Sequence, residues 1–154
     1  MQHLFFRCLP ALLLATAVTV VLASVTQSLF NLWALEAIGV DLEPVHWVET
    51  VGADLLGFTP IMTVLTGAAF VVAFPVASMA AAWLIPARAT VFFLAGAGAM
   101  LGALLLVDYL TPPPTLIAAT RTLAGSGAFM GCGAVGGLLY ARLSHFRDPD
   151  LLID

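Results

Sequence analysis

Arg121 and two aspartates, Asp54 and Asp108, are the residues of this chain from which chemistry could start. Arg121 has apolar sequence on both sides, below the break Pro112-Pro113-Pro114, and the spacing predicts a position about two turns into a helix that begins near Thr115. An arginine at that depth needs a carboxylate, carbonyl groups or an anionic ligand, or must run its stem to the interface. Asp54 precedes Leu55-Leu56-Gly57-Phe58, which would draw its carboxylate to an apolar boundary where an unpaired charge is costly. Asp54 is therefore the expected partner of Arg121, with Asp108 as the alternative. Gln27 and Asn31 are four residues apart, and Ser24 and Ser28 are offset by one turn, so one helix carries a strip of hydrogen-bonding groups. Such groups join helices in membrane bundles. The same set, Gln27, Asn31, Asp54, Arg121 and Asp108, could also line a vestibule for an anionic ligand.

Other constellations carry less. His46 and Glu49 share a helix face at i, i+3, but two ligands are too few for zinc, which takes three or four. Cys8 and Cys132 are the only cysteines and are far apart in sequence, so neither a structural disulfide nor a CxxC relay is expected. No serine or cysteine has a nearby histidine and acid that would make a triad. Met62, Met79, Met100 and Met130 read as core filler. No histidine falls within an apolar run, which argues against a helix-bound haem. No cofactor or metal is expected, and there is no positive case for catalysis.

The elements that must position these residues are membrane helices. Cys8 to Leu35, Leu55 to Ala87, Ala89 to Val107 and Thr122 to Ala141 contain no charged side chain, and each reaches the roughly 20 residues needed to cross the bilayer. The composition agrees, with 62% hydrophobic and 9% charged residues, against roughly 25% charged in a soluble domain. All five basic residues are arginines and the net charge is −4, so no basic face exists for nucleic acid. Arg7 followed by an apolar run resembles a secretory signal, but the run is too long, and a retained helix is expected.

The expected fold is an all-α integral membrane protein, a single domain of four transmembrane helices in an antiparallel bundle. The helices are placed at about 9–35, 60–85, 89–109 and 115–142. Between the first two, Pro44 opens a short amphipathic interfacial helix, about 44–56, with Val48, Val51 and Leu55 opposite His46, Glu49 and Thr50. Pro75 should kink the second span. Arg7, Arg88, Arg142 and Arg147 fall on one side of this topology, and Glu36, Asp41, Glu43, Glu49, Asp54 and Asp108 on the other. The positive side is retained in the cytoplasm, so both termini are expected there, in a bacterial inner membrane. Trp33, Trp47 and Trp83 suit the headgroup level.

Glycines are concentrated in the last two spans. Gly98 and Gly102, Gly127 and Gly131, and Gly133 and Gly137 each stand four apart, a spacing that lets helices approach closely in lipid. These glycines sit in apolar spans with no lysine, so they do not form a phosphate loop. Two functions from different classes fit. The first is a non-catalytic subunit or homo-oligomeric scaffold that binds other membrane helices or lipids. The alternative is a small transporter or channel with an outward-facing vestibule around Arg121 and Pro75 as a hinge. The scarcity of ionisable groups within the spans favours the first.

Overall fold

A computed structural model describes residues 2–41, 43–83, 87–110, 120 and 122–144, and of residues 2–7 the backbone alone. The described residues form five helices: α1 (Gln2–Ala37), α2 (Pro44–Gly57), α3 (Thr59–Trp83), α4 (Arg88–Leu110) and α5 (Leu123–Leu143). Four of them, α1, α3, α4 and α5, are long and apolar enough to cross a membrane. The chain is thus a small multi-pass membrane protein whose spans form a four-helix bundle.

Helix α1 begins earlier than its apolar pattern implies, so Pro10 lies inside the helix rather than at its first turn. It ends in a Schellman motif: the Gly39 N–H donates to Glu36 O at 2.9 Å and the Val40 N–H to Leu35 O at 3.2 Å. Gly39 takes φ 85° there, a conformation that a side chain would strain. Pro44 starts α2, where its missing N–H costs nothing. Only Phe58 separates α2 from α3, and its N–H donates back to Asp54 O at 2.8 Å. The helix α3 continues through Pro75.

The largest departure from the sequence reading concerns α5. Thr122 is extended, with φ −121° and ψ 146°, and its side chain accepts the Gly125 N–H at 3.0 Å, so this helix begins at Leu123 rather than near Thr115. The helix starts where the uncharged run itself begins, after Arg121, because the threonine side chain satisfies a donor that the first helical turn leaves unpaired. Residues 111–119 and 121 lie outside the described residues.

The core has two parts. At the end away from α2, Phe70, Phe74, Phe92 and Tyr140 close a cluster with Ala11, Ala15, Ala77, Ala81 and Ala141. Phe74 is its centre, 4.3 Å from the Phe70 ring, 4.5 Å from Tyr140 and 5.7 Å from Phe92. Nearer α2, Met62 and Met100 pack with Val20, Ala23, Leu104 and Phe129. Met79, by contrast, faces outward at 71% exposure and fills no core.

The most extensive contact joins α4 to α5, and glycine makes it possible. A Cβ placed on Gly96 would overlap the Gly133 carbonyl, one on Gly133 would overlap the Gly96 carbonyl, and one on Gly137 would overlap the Phe92 carbonyl. Gly136 faces α1 and α3, where Thr19 and the Phe70 ring occupy the space a side chain would need. Gly98, Gly102, Gly127 and Gly131 are not in this contact: nothing lies within 4 Å of a Cβ built on any of them. The reason is angular. Gly98 is two residues from Gly96, and Gly131 two from Gly133, which turns each by about 200° away from the seam.

Candidate functional site

The described polar residues gather where α1, α2 and α3 meet. Residues Trp47, Thr50, Val51, Asp54 and Leu55 are the less exposed positions of α2 and recur at i, i+3, i+4, which makes them the stripe turned toward the bundle. Val48, expected on that stripe, is 74% exposed instead, and Thr50, expected opposite it, is on it. The register of α2 is set by Asp54. Its Oδ2 lies 2.8 Å from the hydroxyl of Ser28, a fully buried residue of α1, and that hydroxyl also lies 3.0 Å from the Ser24 carbonyl. One turn away, Ser24 Oγ and Thr59 Oγ1 share a hydrogen bond of 3.2 Å. One hydroxyl–hydroxyl and one hydroxyl–carboxylate hydrogen bond thus tie the first residue of α3 and the last turns of α2 to one face of α1.

This face of α1 stays polar toward the middle of the span. Thr16, Thr19, Ser24, Gln27 and Ser28 are all buried, against α3 and α5. Thr19 donates to Ala15 O at 2.8 Å, and Thr26 lies 3.5 Å from Cys132 Sγ. On α3, Thr66 is 1% exposed and its hydroxyl has no hydrogen-bond partner among the described residues.

The expected polar set divides accordingly. Gln27 is buried, Asn31 and Asp54 are half-buried, and Asp54 bonds Ser28. Asp108, at the end of α4, is half-buried with Oδ1 unpartnered. Arg121 lies outside the described residues, and with α5 beginning at Leu123 it precedes that helix rather than standing two turns inside it. The two arginines whose side chains are described, Arg88 and Arg142, belong to the opposite end, at the start of α4 and the finish of α5. Arg88 donates to Ser144 Oγ at 2.9 Å and its guanidinium carbon sits 4.8 Å from the centre of the Phe92 ring. Ser28 was not singled out by sequence as a partner of Asp54, nor Thr59 as a partner of Ser24. Their signal was present in the i, i+4 repeat of Ser24 and Ser28, but a repeat does not say which neighbouring helix it meets.

Two depressions are lined by described residues alone. One, of about 220 Å³, lies between α1, α3 and α5 and is lined by Cys8, Leu12, Phe70, Phe74, Pro75 and Tyr140. The other, of about 380 Å³, is a groove between α3 and α4 floored by small residues, among them Ala68, Ala69, Ala73, Ala99, Gly102 and Ala103. Among the described residues no group of three His, Cys, Asp or Glu side chains could hold a metal ion. No protein-family model, curated protein or solved structure matches this chain.

Proposed function

We propose that this protein is a non-catalytic subunit or homo-oligomeric scaffold, which takes a helix of a second copy or of another membrane protein into the groove between α3 and α4. The groove floor carries the reading. Association in lipid depends on close backbone approach, because apolar side chains gain nothing by leaving one hydrocarbon surface for another. The protomer spends Gly96, Gly133 and Gly137 on its own α4–α5 seam, yet leaves Ala68 and Gly102 of the α3–α4 groove exposed and Ala69, Ala73 and Ala99 only half-buried. Gly98, Gly127 and Gly131 add further open small positions on the outer faces of α4 and α5.

In this reading the four spans run antiparallel, a register supported by the opposition of Phe92 to Gly137 and of Gly96 to Gly133. The helix α2 lies in the interface, with Val45, Val48 and Leu56 outward to lipid. The arginines Arg88 and Arg142 stand at the cytoplasmic end with both termini, and the acidic end faces out of a bacterial inner membrane.

Gly102→Leu tests the docking role. Its Cβ would meet nothing within 4 Å and the rest of the side chain would lie along the open groove, so the unfolding free energy should stay within about 0.5 kcal/mol of wild type. Native mass spectrometry from nanodiscs should show the wild-type assembly reduced to single chains. An unchanged assembly would remove the groove from consideration.

A further inference from the structure

The outward sides of the four spans differ in what they present to lipid. Large side chains stand out from α1 at Leu13 and Leu14, from α3 at Val64 and Val76, and from α4 at Phe93 and Leu94. On α5 the exposed positions between Leu123 and Val135 are Ala124, Gly127 and Gly131. Nothing lies within 4 Å of a Cβ built on either glycine. The outer half of α5 is therefore a ridge of nearly bare backbone, able to descend onto a floor of alanine and glycine as larger ridges cannot.

We propose, on the docking role given above to the α3–α4 groove, that its occupant is α5 of a second copy of this chain and that copies joined in this way close into a ring. Depth supports the match. Identical chains insert with one orientation, so two of their surfaces meet only where they lie at one level of the bilayer. Within the protomer the Phe70 ring lies at Gly136, and Gly96 lies at Gly133. Counting from those contacts puts Ala69 of α3 level with about residue 135 of α5, and Gly102 of the antiparallel α4 level with about residue 127. The groove thus spans the level of Gly127, Gly131 and Val135, which is the ridge itself.

The pairing is also continuous with a contact that the protomer already makes. One face of α4 receives its own α5 at Gly96. Gly102 is turned about 120° from Gly96, and there α4 receives the neighbour's α5, again antiparallel.

Closure follows from where the two surfaces point. The spans contact one another in the order α1, α3, α4, α5 and back to α1. The groove opens on the α3–α4 side, whereas the ridge points away from α4 and α1. One neighbour cannot fill the groove and receive the ridge at the same time. Each copy therefore has two different neighbours, a heterologous arrangement that, with every chain upright in one membrane, closes into a ring rather than a two-fold pair.

The experiment uses the full chain in its membrane, with Cys8 and Cys132 replaced by serine and alanine. Differently tagged chains carrying Ala69→Cys and Gly131→Cys are co-expressed and oxidised. A disulfide between the two is expected, with none when either variant is expressed alone. A chain carrying both substitutions should give a ladder of linked multimers ending at the size that native mass spectrometry finds for wild type, larger than a pair. Gly131→Leu should weaken association about 10- to 100-fold and leave the thermal midpoint of the single chain unchanged. Links between two Ala69→Cys chains, a wild-type pair, or a Gly131→Leu protein that assembles like wild type would each overturn the proposal, while loss of assembly in Gly102→Leu would still leave the groove its docking role. Absence of the mixed disulfide alongside that loss would give the groove to another helix and overturn the proposal too. An assembly indifferent to Gly102→Leu would remove the groove and its occupant together.

Discussion

Replacing Gly133 by alanine should destabilise the protein, while the same change at Gly131, two residues away, should not. At Gly133 the new Cβ would stand 2.8 Å from Met100 Cβ and 3.0 Å from the Gly96 carbonyl carbon, and would overlap the Gly96 carbonyl oxygen. None of these is the tip of a flexible side chain. Relief requires α4 and α5 to part by about 0.6 Å or more to restore ordinary contact, and the whole seam loosens with them. Overpacking of a tight contact costs about 1–3 kcal/mol, and a backbone-to-backbone clash belongs at the upper end or beyond. Alanine recovers about 1 kcal/mol of helix propensity, so a net loss of about 1–2 kcal/mol is expected. At Gly131 the Cβ meets nothing within 4 Å, and only the propensity gain remains. Reversible unfolding in mixed micelles, followed by circular dichroism, measures both against wild type. Opposite signs for the two variants are expected; a Gly133→Ala protein as stable as wild type, or equal losses at both positions, would refute the assignment of the seam to Gly96, Gly133 and Gly137.

Thr66→Val should stabilise the protein by about 1–2 kcal/mol in the same assay, since it removes a buried hydroxyl that has no partner while keeping the shape; a loss of that size would mean the hydroxyl is bonded after all. Phe74→Ala should cost about 3–5 kcal/mol, because the ring packs between Phe70 and Tyr140 and against Phe92, and a loss below about 1 kcal/mol would show that the aromatic cluster closes over the gap. With Cys8 and Cys132 replaced by serine and alanine, single cysteines at Glu43 and Arg142 should be labelled from opposite sides of the membrane, the first from outside. Labelling of both from one side would contradict the four-span topology.

The membrane spans, their number and most of their boundaries were legible in the sequence, because the cost of placing charge in hydrocarbon acts on each residue separately and leaves long uncharged runs. The stop at Gly39 and the start at Pro44 were legible for a similar local reason: both depend on the backbone of one residue. The start of α5 was local too: Thr122 caps the helix where the uncharged run begins after Arg121, and the apolar residues 116–119 drew the expected start too early.

Packing faces were decided only by the tertiary structure. Six glycines on α5 and three on α4 offer several seams of equal spacing, and periodicity cannot choose among faces that are all apolar. The choice fell to Gly96 opposite Gly133 and Gly137, where Phe92, Met100 and Tyr140 fill the spaces on either side. The same holds for the polar site. The strip on α1 was visible, whereas the partner of Asp54 was not, since a carboxylate near an apolar boundary states that it needs donors or a cation without naming them. Ser28 is its described partner because the rotation of α2 that turns Trp47, Val51 and Leu55 toward the bundle also turns Asp54 onto α1.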